Sequence, residues 1–470
     1  MLYSMKEEVI IKLNFMKKVI VLACLLFSAT YASAEGYQVN AQSTKQSAMG
    51  HVGAAMKLGA ESMHFNPAGL GFMTDKIDLS VGMSAAFSKF KYSEGDYSHK
   101  SDNTPSTPMY LYAGFKIYDN LSAGISVTTP YGSGLNWGQN WNGAYLVQDI
   151  NLKSFAFQPT ISYKIFDRLS IGAGLMVMMG DFSMSRALLP AGALNMVAPL
   201  VPGQSEVINK YKDVAAVSTT LAGDADIKMG YNLGVMYDIN DKFTVGLSYR
   251  SKVAMHVSEG KAELNYVNEQ ELKNLLKEVN TILVSAQKPP IGVPPLDKGT
   301  FEAELPMPSN WNLGLTYKPT DRLLVSAEVQ FVGWGAYDEL NVQFTEEVLG
   351  GYSIQADKKY MNTRIYRVGG QYAATDRLDV RLGAYYDESP VRTGYLNPET
   401  PSMDKLGLTT GFSFRPVDRL SIDFAFSYVT GFGRDGSYTD IDPLTKQPRT
   451  FKGHYNVSAI TPSLGLGYRF

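Results

Sequence analysis

The sequence predicts an all-β protein: a transmembrane antiparallel β-barrel of about 14 strands with an N-terminal hatch in its lumen. Three observations predict it. From about residue 76 onward, apolar and polar residues alternate with period two, the pattern of strands with one apolar and one polar face. A short Asp-based turn recurs six times between such stretches. The longest apolar run, Val19 to Ala29, has 11 residues, well short of the roughly 18 to 20 that a spanning helix needs. Composition agrees, since 43 Gly, 29 Tyr and 22 Phe in 470 residues suit many short strands with aromatic faces. A net charge of −2 argues against a nucleic-acid partner, which calls for a basic excess.

Residues 1–34 read as a secretory signal peptide with its true start at Met16. Lys17 and Lys18 form the positive region, Val19 to Ala29 the apolar region, and Ala32-Ser33-Ala34 a small-residue cleavage site. Lipidation at Cys24 is the alternative, but it would leave too short an apolar region. Cleavage after Ala34 removes Cys24, the one cysteine, so the exported chain has no thiol for a disulfide or a Cys–metal site.

The barrel is expected over 76–470. Leu420, Ile422, Phe424, Phe426 and Tyr428 alternate with Ser421, Asp423, Ala425 and Ser427, and Leu378, Val380 and Leu382 alternate with Asp379, Arg381 and Gly383. A soluble sandwich could also alternate in this way. The turns at Asp119, Asp167, Asp241, Asp321, Asp376 and Asp418 decide between the two, because the stretches between them are long and polar or Pro/Gly-rich in the middle. That asymmetry of short turns and long loops belongs to outer-membrane barrels. Six tight turns join twelve strands, and one more at each end makes fourteen: 76–92, 108–118, 121–130, 151–166, 169–186, 226–239, 243–262, 300–318, 322–334, 359–374, 377–388, 404–416, 419–431 and 453–470. An even count closes the sheet and leaves no unpaired edge in lipid. The last strand ends on Phe470, resembling the signal by which bacterial outer-membrane proteins address the barrel-assembly machinery.

Residues 35–75 lack the strand pattern and end in Asn66-Pro67-Ala68-Gly69. Met49, Met56, Leu58, Met63, Phe65 and Leu70 are too apolar for a solvated tail, so a plug is expected here. Two loops stand out, 187–225 and 263–299. The first opens with an apolar stretch from Ala187 to Pro202. The second carries a helical repeat over 269–286, with Leu272, Leu275, Leu276, Val279 and Leu283 on one face. The two apolar faces can cover each other as a lid, or leave a groove between them for a hydrophobic ligand.

These residues resemble the FadL-type outer-membrane transporters of long-chain fatty acids and other hydrophobic compounds. The mature start Gly36-Tyr37-Gln38-Val39-Asn40 and the Asn66-Pro67-Ala68 tripeptide resemble that family's N-terminal hatch, so Gly36, Tyr37, Asn66, Pro67 and Ala68 are the hatch residues the resemblance implies. Tyr366-Arg367-Val368-Gly369 and Asp387-Glu388-Ser389-Pro390-Val391 resemble its late strands. The resemblance implies a monomeric barrel in the outer membrane of a Gram-negative bacterium, surrounded by lipid, whose ligand enters at surface loops and leaves sideways through the wall. It also implies that Arg186 corresponds to a family arginine that holds a ligand carboxylate, and strand parity independently turns Arg186 inward. The family's second basic position is Thr363 here, which leaves Arg367, on the same face, and Arg364, on the other, as ligand-binding candidates.

No enzyme, cofactor or metal is expected. His51, His64, His99, His256 and His454 are scattered without metal-ligand spacing, and Asp435, Asp440 and Asp442 in the last surface loop read as solvated acids rather than a calcium site. The alternatives to a hydrophobic-ligand transporter are a general diffusion porin and a structural barrel. The plug and the apolar loops argue against the porin.

Overall fold

The computed structural model describes residues 36–288, 290–441 and 447–470. The signal peptide, with its Met16 start and Cys24, and Asp442 lie outside these residues. Among the described residues no helix is long and apolar enough to cross a membrane. The crossing is made by strands.

Fourteen strands form the wall. β1 runs Ile77–Ser84 and continues as Phe87–Glu94. β2 is Met109–Tyr118, and β3 is Leu121–Thr128 with a continuation Gly132–Asn136. β4 is Asp149–Phe166, β5 Leu169–Leu189 and β6 Val217–Asp238. β7 joins Phe243–Arg250 to Val253–Tyr266, and β8 joins Lys298–Met307 to Asn310–Thr320. β9 is Leu323–Val332, β10 Thr363–Thr375 and β11 Leu378–Asp387. β12 is Lys405–Val417, β13 Leu420–Gly431 and β14 Pro448–Arg469. Neighbours pair antiparallel, and β1 closes on β14 from Asp78↔Arg469 to Ser84↔Ser463. Closure satisfies the backbone groups that lipid could not.

Alternation sorts each strand's side chains. Val380 and Leu382 of β11 face outward while Asp379 and Arg381 are buried, and on β13 Ile422 and Phe426 face outward while Asp423 is buried. Aromatic rings cluster at the ends of the outer band: Phe243 stacks on Tyr317 at 4.5 Å near the short turns, and Tyr249 packs on Trp311 at 4.4 Å at the other end. Such girdles lie at the two membrane–water interfaces.

All six Asp turns join the strands they are expected to join. The main departure is β6, which starts at Val217, nine residues before the expected 226. Its first stretch, Val217-Ser218-Thr219-Thr220, pairs with the far end of β5, where Arg186 meets Thr219. Those hydroxyl-rich residues lack lipid-face alternation, so hydropathy does not mark them as strand.

The two long loops form one lid. Asn268 caps the helix Glu269–Ser285, its side chain accepting the Glu271 amide at 3.3 Å. Leu272, Leu275, Leu276, Val279 and Leu283 pack on Leu188, Leu194, Val197, Val201 and Ile208 of the other loop. The helix stripe is buried against that apolar stretch, while Met196 and Val284 stay exposed on the lid.

Candidate functional site

The site begins with the N-terminal segment, which hydrogen-bonds to side chains from strands all round the ring. Ser80 of β1, Gln158 of β4, Asn232 of β6, Arg250 of β7, Glu328 of β9 and Thr409 of β12 all bond to residues between Gly50 and His64. The segment therefore lies within the barrel. Asn66 fixes its last turn: its Oδ1 accepts the Ala68 amide at 3.1 Å, while its Nδ2 donates to the carbonyls of Ala54 at 2.6 Å and Val235 at 3.0 Å. Pro67 opens the short helix Pro67–Phe72, where its missing amide costs nothing. The wall admits this turn because it is glycine there; a Cβ on Gly172 would meet Pro67 backbone at 2.4 Å, and one on Gly234 would meet Asn66 Oδ1 at 2.0 Å.

The segment's first residues complete the wall. The β2–β3 ladder ends at Tyr110↔Thr128, and the continuation of β3 pairs with β4 on one side only. On its other side the Gly132 amide donates to the Tyr37 carbonyl at 2.8 Å, and the Val39 amide donates to Pro130 at 2.9 Å. Residues 37–39 thus act as a short strand in a break of β3. Tyr37 is locked by its hydroxyl, which donates to the Pro306 carbonyl, and by the edge of Trp334 at 4.7 Å. Gly36 has φ +56°, and a Cβ there would meet Trp334 at 2.7 Å, so only glycine fits.

Tyr37 borders a narrow cavity, lined also by Ile150, Leu152, Phe182, Met255, Val257 and Met307 together with Ser133 of the broken strand. The surface it exposes is mainly apolar, although Lys153, Asp181, Glu304 and Glu399 also border it.

The predicted basic residues fall in three places. Arg186 points inward as parity requires, because the extra residue of the β5–β6 bulge lies in β6. It is largely buried at 14% exposure and faces Asp440 at 4.0 Å, and its Nε has no hydrogen-bond partner. Burial pushes the Asp440 carboxyl above the usual carboxylate range, and Arg186 pulls it part-way back. Arg367 is buried but committed to the wall, donating to Glu328 at 2.9 Å, Gln330 at 2.7 Å and Asn40 at 3.1 Å. Arg364 corrects the expectation of a ligand contact: it lies on the outer face at 55% exposure, 4.0 Å from Glu388, because it is one residue out of phase with Thr363 and Arg367. Asp435 pairs with His454 at 3.0 Å while Asp440 turns to Arg186, so these two acids do not converge.

Two functional features escaped the sequence reading. Glu328 accepts the amides of Gly53 at 2.8 Å and Ala54 at 2.7 Å as well as Arg367; its place in the polar row Ser326, Glu328, Gln330 of β9 was the available signal. Lys358 and Glu399 form a buried ion pair beside the cavity, and both lie in irregular chain where no period marks them.

A family model described as outer membrane protein transport protein (OMPP1/FadL/TodX) matches residues 25–470. The chain belongs to this family. Members of the OMPP1/FadL/TodX family are transporters or channels rather than enzymes, and the chain is accordingly a β-barrel of the Gram-negative outer membrane that transports hydrophobic compounds. An outer membrane protein of Neisseria meningitidis serogroup B is 24% identical, covering 97% of this chain and 98% of its own. The long-chain fatty acid transport protein of Escherichia coli K12 is 21% identical over 89% of this chain and 93% of its own. Among solved structures, a Pseudomonas aeruginosa FadL homologue superposes with a TM-score of 0.76 at 20% identity, over 93% of this chain and all of its own. The P. putida toluene transporter TodX gives 0.66 at 18%, over 94% and 99%. At these identities the structural likeness speaks to fold.

Proposed function

We propose that this chain takes up hydrophobic small molecules by capture at the surface lid, storage in the cavity beside Tyr37 and sideways release through the break in β3. The observation that carries the reading is the apolar cavity bordered by Tyr37, where the N-terminal segment meets that break. Long-chain fatty acids are the cargo the sequence favours, and the apolar surface of the cavity matches the character of their acyl part. Burial of each CH₂ is worth about 0.8 kcal/mol, so a long chain gains on the order of 10 kcal/mol before ordering costs.

In this reading residues 35–75 are a hatch. Gly36 and Tyr37 close the lateral exit, and Asn66, Pro67 and Ala68 fix the turn against β5 and β6. Exposed Met196 and Val284 on the lid are the landing surface. Arg186 stands at the entry side of the lumen, and Arg367 holds the hatch rather than the cargo. Release needs residues 37–39 to withdraw from β3, which opens a path from the apolar cavity to lipid, where such a solute is stable. The work is done by a monomer, and its last strand, ending on Phe470, addresses the barrel-assembly machinery.

Filling the cavity tests the reading. Met255→Trp should abolish binding of an apolar fluorescent probe to the detergent-purified barrel without altering its heat-modifiable gel mobility. Undiminished probe binding would sink it. A porin would instead pass small sugars freely with the N-terminal segment in place.

A further inference from the structure

We infer that, if the cavity is the cargo site, it selects uncharged ligands and turns away free carboxylates, with Glu399 and Asp440 as the residues that set this choice. A cargo carboxylate needs an unmatched cation in a site this apolar, since an unpaired charge away from water is costly. The inward-facing candidate cations are already engaged by the chain itself, Arg250 by the His64 carbonyl and three others by carboxylates. Lys358, at 1% exposure, is paired with Glu399; Arg186 faces Asp440; Arg367 is bonded to Glu328.

The placement of Glu399 adds a second argument. Glu399 lines the cavity and Lys358 does not, so the carboxylate stands between the cargo and the ammonium group. The remaining charged residues that border the cavity, Asp181, Glu304 and Lys153, alternate along their strands with the inward-facing Phe182, Leu305 and Leu152 and so point to the other face. Lys153 is directly opposite Asp181 across the β4–β5 ladder, which matches the one cation among them with an acid. The cavity therefore offers an incoming carboxylate no unmatched cation. An ester or a hydrocarbon of the same length meets only the apolar lining.

This selection rests on the uptake reading, and the experiment separates the two. Laurate and methyl laurate share a chain and differ in charge at about pH 8, where the free acid is ionised. Each is titrated against a bound apolar fluorescent probe on the purified full-length barrel. The ester should bind about tenfold or more tightly than the acid. Glu399→Gln keeps the shape but uncovers Lys358, and should improve laurate binding about tenfold with little change for the ester. Asp440→Asn should shift the preference the same way by freeing Arg186, which guards against a folding defect in the first variant. Tighter binding of laurate by the wild type, or equal changes for acid and ester in both variants, overturns the charge selection alone. If neither compound displaces the probe, the cavity is not the cargo site and both readings fall.

Discussion

Glu328→Ala should unlatch the N-terminal segment while leaving the barrel standing. The wild-type carboxylate holds the Gly53 and Ala54 amides with one oxygen and the Arg367 guanidinium with the other, all buried. Its loss strands two amides and a cation. Breaking a buried ion pair costs about 3–5 kcal/mol, and each stranded amide about 1–3, terms that overlap rather than add. Taking about 3–5 kcal/mol overall, the ratio of seated to released segment falls by roughly two to three and a half powers of ten. The β9 ladder bonds are backbone bonds and persist. In planar bilayers the variant should show frequent large openings that the wild type lacks, while the folded band on an unheated gel is retained. Glu328→Gln keeps an acceptor for the amides but loses the charge, so it should fall between the two. A Glu328→Ala barrel as silent as the wild type would show that the segment is held by packing, and the latch argument would be wrong.

Other consequences are as direct. Deleting residues 36–70 should give a large, steady conductance, since this segment is bonded to six strands around the ring. Gly234→Ala places a methyl 2.0 Å from Asn66 Oδ1 and should raise conductance by displacing the turn, whereas a silent channel would mean the turn can shift without opening a path. Leu275→Ala with Val279→Ala removes the middle of the lid's buried stripe; at about 2–5 kcal/mol for a buried leucine, the helix should become protease-sensitive before the barrel does. Hydrogen bonds from Lys273 and Tyr266 hold the Asp297 carboxyl below the usual range. Its contribution to docking the helix is therefore full above the ordinary carboxylate value and is lost as pH falls through the lowered one. Hydrogen exchange over 269–285 should quicken as pH falls below the ordinary carboxylate value of about 3.9, and an Asp297→Asn variant should show no such step.

The wall was legible because lipid outside and polar contacts inside write a two-residue period that a closed sheet cannot avoid. Leu378 to Leu382 shows it in five residues, and the Asp turns punctuate it. Where β6 rises along β5 at Val217–Thr220 the outer face no longer demands apolar side chains, and the period vanishes with the demand. The same logic told Arg367 from Arg364 by parity, but parity gives direction and not partners. That Arg367 would be consumed by Glu328, 39 residues away in the chain, depends on register across the β9–β10 ladder. Lys358 and Glu399 were beyond reach altogether, because irregular chain has no period and their pairing is made by the fold.

The N-terminal segment precedes every strand that surrounds it, so the filling is synthesised before its container. Its partners on β1, β4, β6, β7, β9 and β12 span nearly the whole chain. The sheet therefore has to curl around residues 36–73 before the β1–β14 seam zips shut, because contacts this distant in sequence form late. Sealing the tube and loading it are one event, and a permuted chain that made this segment last would have to thread it into a finished cylinder.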